Sequence, residues 1–209
     1  MLDRMQALAQ QGVQIQLVLD VGSYHGQFGD MIHEVWPQAH VISLEADHTH
    51  AAINPGQITV CLGSQDNTWV EFHTLPGAGV KTGASYYKEL TPYYQTSVSM
   101  PMQTVTLDTL CAQQAWHSEL WSTQGMIKLD TQGSELDILR GAHKFLQSEQ
   151  PRYILAEVSH KPYNLNAPRA SEVIHWLHER GYQFVDVWGI TYDTQNSLLQ
   201  TDILFERQS

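Results

Sequence analysis

The sequence predicts an α/β domain: a mostly parallel β-sheet with helices on both faces and an antiparallel hairpin appended towards its C-terminal end. Three observations predict it. Short apolar, β-rich runs alternate with amphipathic stretches, the pattern of strands buried on both faces and joined by crossover helices. One run passes directly into a glycine turn and then a helix, in "VLDVGSYHGQFG" at 18–29. The stretch "FVDVWGITYDTQNSLLQTDILFERQ" reads instead as two strands joined by a polar turn around 193–197.

Taken in order, the strands fall at about 17–21, 40–45, 57–62, 126–130, 153–158 and 183–188, and the helices at about 26–35, 134–147 and 170–180. Ser134 precedes Glu135 and Asp137, acids placed in a first turn where the helix dipole favours them. Gly181 closes "SEVIHWLHERG" as a C-terminal cap. The connection at 76–99, "PGAGVKTGASYYKELTPYYQTSVS", is too long for an idle loop. Its tyrosines, Tyr86, Tyr87, Tyr93 and Tyr94, suit a lid over a bound ligand or, equally, a loop packed by its own aromatics.

Composition narrows the partners. The 209 residues suffice for one domain spanning 1–209, and 42% apolar with 16% charged residues is a globular composition. A formal net charge of −11 repels polyanions, so neither nucleic acid nor an anionic membrane is expected as a partner. No stretch is apolar and long enough for a signal peptide or a membrane span, which makes the cytoplasm the expected compartment. Cys61 and Cys111 match no metal-ligand or redox spacing and read as buried, reduced thiols. His48 and His50 lack a third ligand at a recognisable spacing and read as solvated side chains; no metal site is expected, the alternative being a divalent cation on the carboxylates of Asp130 and Glu157.

The glycine turn points to a ligand. Gly22, Gly26 and Gly29 are spaced G-x-x-x-G-x-x-G, which is not the dinucleotide fingerprint. Asp20, near the end of its strand, would oppose a pyrophosphate and suit a cation. Glu45 ends the next strand, in "VISLEAD", about 20 residues past the turn, where an acid accepts hydrogen bonds from ribose hydroxyls. A ligand with a ribose, a positive charge and no phosphate fits both acids, and S-adenosylmethionine has all three properties. The plain alternative is a tight strand-to-helix turn beside two solvated acids.

A second motif, "MIKLDTQGSELDILRGA" at 126–142, delivers Asp130 to the same sheet edge as Asp20 and opens another helix at a glycine. Together with the glycine turn it resembles the FkbM family of S-adenosylmethionine-dependent methyltransferases. The resemblance continues through Gly83-Ala84-Ser85, "VTLDTL" at 105–110, "ILAEVS" at 154–159, "RGY" at 180–182 and "DILFE" at 202–206. It implies a Rossmann-like class I methyltransferase sheet of seven strands, mostly parallel, with the final strand antiparallel. It further implies that the turn holds the methionine part of the cofactor through Asp20, Gly22, Tyr24 and Gly26. Glu45 and the adjacent Ala46 would then meet the ribose, with Leu62 and Gly63 near the adenine. Tyr24-His25 departs from the small or amide residues common in that turn.

For the chemistry, a hydroxyl acceptor needs its proton removed and its oxygen aligned with the methyl group. Asp130, which also faces the cofactor, is the first candidate for base or orienting group, and Glu157 in "LAEVSH" the second, with His160 just beyond it. The family implies O-methylation of a sugar or small natural-product acceptor. A nicotinamide-dependent oxidoreductase and a catalytically silent nucleoside-binding relative are the rival readings. Oligomeric state is not legible.

Overall fold

The computed structural model describes residues 1–50, 53–77, 82–116, 118 and 120–208. The first half runs α1 (Leu2–Gln10), β1 (Leu17–Val21), α2 (Gln27–Val35), β2 (His40–Glu45), β3 (Ile58–Thr59), β4 (Trp69–Thr74), β5 (Val98–Gln103) and α3 (Leu107–Gln114). The second half runs α4 (Leu120–Gln124), β6 (Gly125–Leu129), α5 (Glu135–Arg140), α6 (His143–Ser148), β7 (Tyr153–Ser159), α7 (Ala170–His178), β8 (Tyr182–Tyr192) and β9 (Leu198–Arg207).

Seven strands form one sheet in the order β3-β2-β1-β6-β7-β9-β8. Pairings from β3 through to β7 are parallel, whereas β9 is antiparallel to both β7 and β8. The expected parallel sheet with its antiparallel strand is therefore present. The appended hairpin is β8 and β9, and its turn is closed by Asp193 N donating to Ser197 O at 2.9 Å.

Alternation along each strand sends side chains to two separate cores. Leu19, Val21, Ile127, Leu129, Ile154 and Ala156 pack on one face with Leu107, Leu136, Phe145 and Val173 from α3, α5, α6 and α7. Val18, Met126 and Leu155 pack on the other with Met5, Phe28 and Ile32 from α1 and α2. Asp20 and Lys128 belong by alternation to this second face.

The structure corrects several expectations. The helix at 134–147 is two helices, α5 and α6, broken at Gly141. A Cβ there would lie 2.1 Å from the Gly63 carbonyl oxygen, so the backbones pass too closely for a side chain. The strand at 57–62 shortens to Ile58–Thr59, and Leu62 instead forms an isolated parallel bridge with Val105. Two unforeseen strands, β4 and β5, pair antiparallel in a small second sheet. Pro101 sits opposite Glu71 there, tolerated because a two-stranded ribbon consists only of edges.

The tyrosine-rich segment between β4 and β5 includes 78–81, which lie outside the described residues. Its remainder is docked against the body. Tyr94 is 0% exposed, and the hydroxyls of Tyr87 and Tyr86 donate to Asp137 Oδ2 on α5 at 2.7 and 3.4 Å. His50 is also a correction: it is buried, with its Nδ1 3.1 Å from His25 Nε2, while His48 stays exposed.

Candidate active site

Strand register builds the centre of the site. Asp20 on β1 lies directly opposite Lys128 on β6, and both are buried. Lys128 Nζ is 3.4 Å from Asp20 Oδ1 and 3.2 Å from Asp130 Oδ2, and it donates to the Gly22 carbonyl at 3.4 Å. The Phe28 ring lies 5.4 Å from the same ammonium. Burial works against the charge on Lys128, but Asp130 and Asp20 outweigh it and hold its pKa above that of an ordinary lysine. One ammonium thus ties the glycine turn to the acid at the end of β6.

The turn itself is tightly specified. Gly22 has φ +77°, and a Cβ there would lie 1.9 Å from the Asp130 carbonyl oxygen. The turn's amides are directed inwards. Gly22 N and Ser23 N donate to Leu44 O at 2.9 and 3.0 Å, Tyr24 N to Glu45 Oε2 at 2.9 Å, and Gly26 N to Ser23 O at 2.7 Å. A phosphate cradle needs such N–H groups pointing at the ligand, and these four are already engaged.

A cavity of about 400 Å³ opens above this edge, within the usual range of small-molecule sites, about 300–1,000 Å³. Of the residues expected from the sequence, Gly22, Tyr24, Glu45, Ala46, Leu62, Asp130 and Glu157 line it. Asp20, Gly26 and Gly63 do not. Asp20 lies beneath the turn and bears on the cavity through Lys128. Gly26 has φ +86° at the start of α2, packed against the Asn54 side chain. Gly63 is wedged between Thr104 and Gly141, leaving its neighbour Leu62 to face the cavity.

Glu45 accepts from Tyr24 N and, at 2.9 Å, from Asp47 N through its other oxygen. Burial raises its pKa, and those amides pull it back. A carboxylate has about four acceptor positions, so lone pairs remain for a diol. Tyr24 stacks on His25, with ring centroids 3.7 Å apart, and forms a plate at the cavity wall.

At the opposite wall, Gln132 links the two candidate catalytic acids. Its Nε2 donates to Asp130 Oδ1 at 3.0 Å and to Glu157 Oε2 at 2.6 Å. Gln200 Nε2 on β9 donates to the same Glu157 oxygen at 2.9 Å. Burial pushes Glu157 well above the usual carboxylate range, reinforced by the Asp130 and Asp202 charges. The turn carrying Gln132 is held by Glu135, whose carboxylate accepts from Thr131 N at 2.8 Å and Gly133 N at 3.0 Å. Burial pushes Glu135 up to about 7.

Sequence reasoning missed the parts that depend on folding. Lys128 carried a signal, a charge inside an apolar strand, but its partners come from register. Gln132 lay inside the motif without a role of its own. Gln200 from β9 and Phe72 from β4 reach the cavity only through tertiary structure and left no local signal. His160 stands apart, 2.8 Å from Thr201 Oγ1 and outside the cavity wall. Among the described residues, no group of three or more His, Cys, Asp or Glu side chains is arranged to hold a metal ion. Nor is any described helix long and apolar enough to cross a membrane.

The strand order and the reversed β9 define a class I methyltransferase fold. The chain belongs to the FkbM methyltransferase family: the sequence model of the methyltransferase FkbM domain matches residues 20–184. No curated protein sequence matches it. Among solved structures it is similar to methyltransferase FkbM from Methylobacillus flagellatus KT, at 13% identity and a TM-score of 0.51. That match covers 92% of this chain and 43% of the other, so this chain spans less than half of that relative's length. It is also similar to the magnesium protoporphyrin IX methyltransferase from Synechocystis PCC 6803, whose structure has S-adenosylmethionine bound. Identity there is 11% and the TM-score 0.53, with 99% of this chain and 78% of the other covered.

Proposed function

We propose that this methyltransferase uses S-adenosylmethionine to O-methylate a hydroxyl of a sugar or small natural-product acceptor. The observation that carries the reading is the glycine turn, whose amides at 22, 23, 24 and 26 are spent internally while Glu45 keeps acceptor capacity beside the cavity. Such a site suits a ribose and a sulfonium, and a pyrophosphate would find the amides of 22, 23, 24 and 26 already occupied, which disfavours a nicotinamide cofactor. When bound, the cofactor would supply an electrophilic methyl carbon on a sulfonium, the chemistry that an acceptor oxygen's electron pair needs.

The chain's residues do the rest. Glu45 and Ala46 hold the ribose, Leu62 borders the base, and the Gly22–Tyr24 backbone shapes the methionine pocket. Asp130 and Glu157 orient the acceptor hydroxyl and take its proton, a contribution of about 10²–10⁴ for general-base catalysis. A neutral or cationic acceptor agrees with a net charge of −11 better than nucleic acid does. Cys61 and Cys111 are both free and buried, with burial pushing each thiol up to about 12, in keeping with a reducing cytoplasm.

Thermal unfolding with S-adenosylhomocysteine, and with NADH as control, tests the cofactor. At ~100 times its dissociation constant, the ligand adds about 2.7 kcal/mol, which raises the midpoint by roughly 5–11 °C for a chain of this size. A shift with NADH instead would overturn the reading. Mass spectrometry of cell extract incubated with the protein and isotopically labelled cofactor then reads the acceptor, expected as a label on a saccharide or natural-product oxygen. Binding without any labelled product would mark a silent relative.

A further inference from the structure

The two candidate acids share one amide donor, Gln132, and differ in what holds their other oxygens. Both oxygens of Asp130 are engaged, Oδ1 by Gln132 Nε2 at 3.0 Å and Oδ2 by Lys128 Nζ at 3.2 Å. Glu157 receives both of its amide donors, from Gln132 and Gln200, on Oε2. Its Oε1 accepts no hydrogen bond from any described residue, and Glu157 lines the cavity. An amide nitrogen has two N–H donors, so Gln132 spends its whole donor capacity on this bridge.

We propose that Gln132 is a positioning residue that bridges the pair, with Asp130, held on both oxygens, as the fixed, orienting carboxylate and Glu157 Oε1 as the atom that takes the acceptor's proton. This rests on the methyltransferase reading above and assigns roles within it. In the step, the acceptor O–H bond breaks, its proton passes to Oε1, and its electron pair stays on the oxygen that receives the methyl group. Glutamine suits the task because its amide donates at neutral pH without adding charge. Its backbone is pinned with φ +56°, between Thr131 and Gly133, which both donate to Glu135.

The groups acting on Glu157 come from every side. Asp130 at the end of β6, Asp202 opposite in register on β9 and Glu135 on α5 disfavour its charge, and Lys128 on β6 favours it. The Tyr163 phenol also faces it. Hydrogen bonds from Gln132 and Gln200 stabilise the ionised form, so losing one raises the titration midpoint further.

The test is a carbon-13 NMR titration of glutamate side-chain carboxyls in the full chain with S-adenosylhomocysteine added, Glu157 being assigned through Glu157→Gln. The wild-type midpoint is expected above the usual glutamate value of about 4.3. Gln132→Asn keeps a residue at home with positive φ but cannot span both acids, and should raise that midpoint by about one unit. Gln132→Met, which lacks donors, should do the same and serves if the first variant fails to fold. An unchanged midpoint in a folded variant, or a wild-type midpoint in the usual range, overturns the assignment. Thermal stabilisation of the wild-type sample by S-adenosylhomocysteine is read separately; its absence overturns the methyltransferase reading, whereas the titration overturns only the roles given to Gln132 and Glu157.

Discussion

Lys128 holds Asp20, Asp130 and the Gly22 carbonyl from within the sheet, where water cannot compensate for its loss. Asp20 accepts no hydrogen bond besides that ion pair, so Lys128→Met would leave a buried carboxylate uncompensated. Breaking a buried pair from one side costs about 3–5 kcal/mol. Urea unfolding at neutral pH should show that loss, with Asp20→Asn added to Lys128→Met recovering part of it; no recovery would mean that the lysine acts by packing alone. At this scale the sequence was half legible. The acids Glu45, Asp130 and Glu157 were readable because strand ends place them at one edge. The links between them were not, because Lys128 and Gln132 gain their meaning from register and from a left-handed turn residue.

Among the elements, strands and helices with strong periodicity were legible to within a few residues, β1, β2, β6 and β7 above all. The helix at 134–147 was misread because nothing local says that Gly141 must meet Gly63, distant in sequence. β4 and β5 escaped because polar residues and Pro101 mask a ribbon whose only support is its partner strand. The segment between them suited a lid or a loop packed by its own aromatics equally well on sequence; in the structure its buried Tyr94 and its bonds to Asp137 anchor it to α5. Tyr87→Phe should therefore cost about 1.5 kcal/mol, the low end for a hydrogen bond to a charged group. Chemical denaturation measures it, and a cost near zero would mean that the docking rests on Tyr94 and its neighbours.

For the whole molecule, acids buried against the sheet edge make stability depend on pH. Glu135 is raised from 4.5 to about 7 and Asp202 from 3.8 to about 6, both chiefly by burial. A carboxyl raised on folding binds its proton more tightly in the native state, so its contribution is full below the unfolded pKa and fades as pH rises through the folded one. Stability from these two should therefore fall between about pH 4 and 7. Urea unfolding of Glu135→Gln should show a shallower fall than wild type across that window; an equal slope would remove Glu135 as a source. The parallel sheet and its reversed strand were both legible, since each follows from element order and the C-terminal hairpin. The strand order has a consequence for assembly. Among the described residues β8 pairs in the sheet with β9 alone, although β8 comes first in the chain. A nascent chain that has emerged no further than residue 192 must keep β8 waiting, with β7 exposed as a sticky edge, until Leu198–Arg207 slides in between. Docking of β8 therefore waits on β9, and a chaperone that shields β7 during that interval would guard the step most open to misassembly.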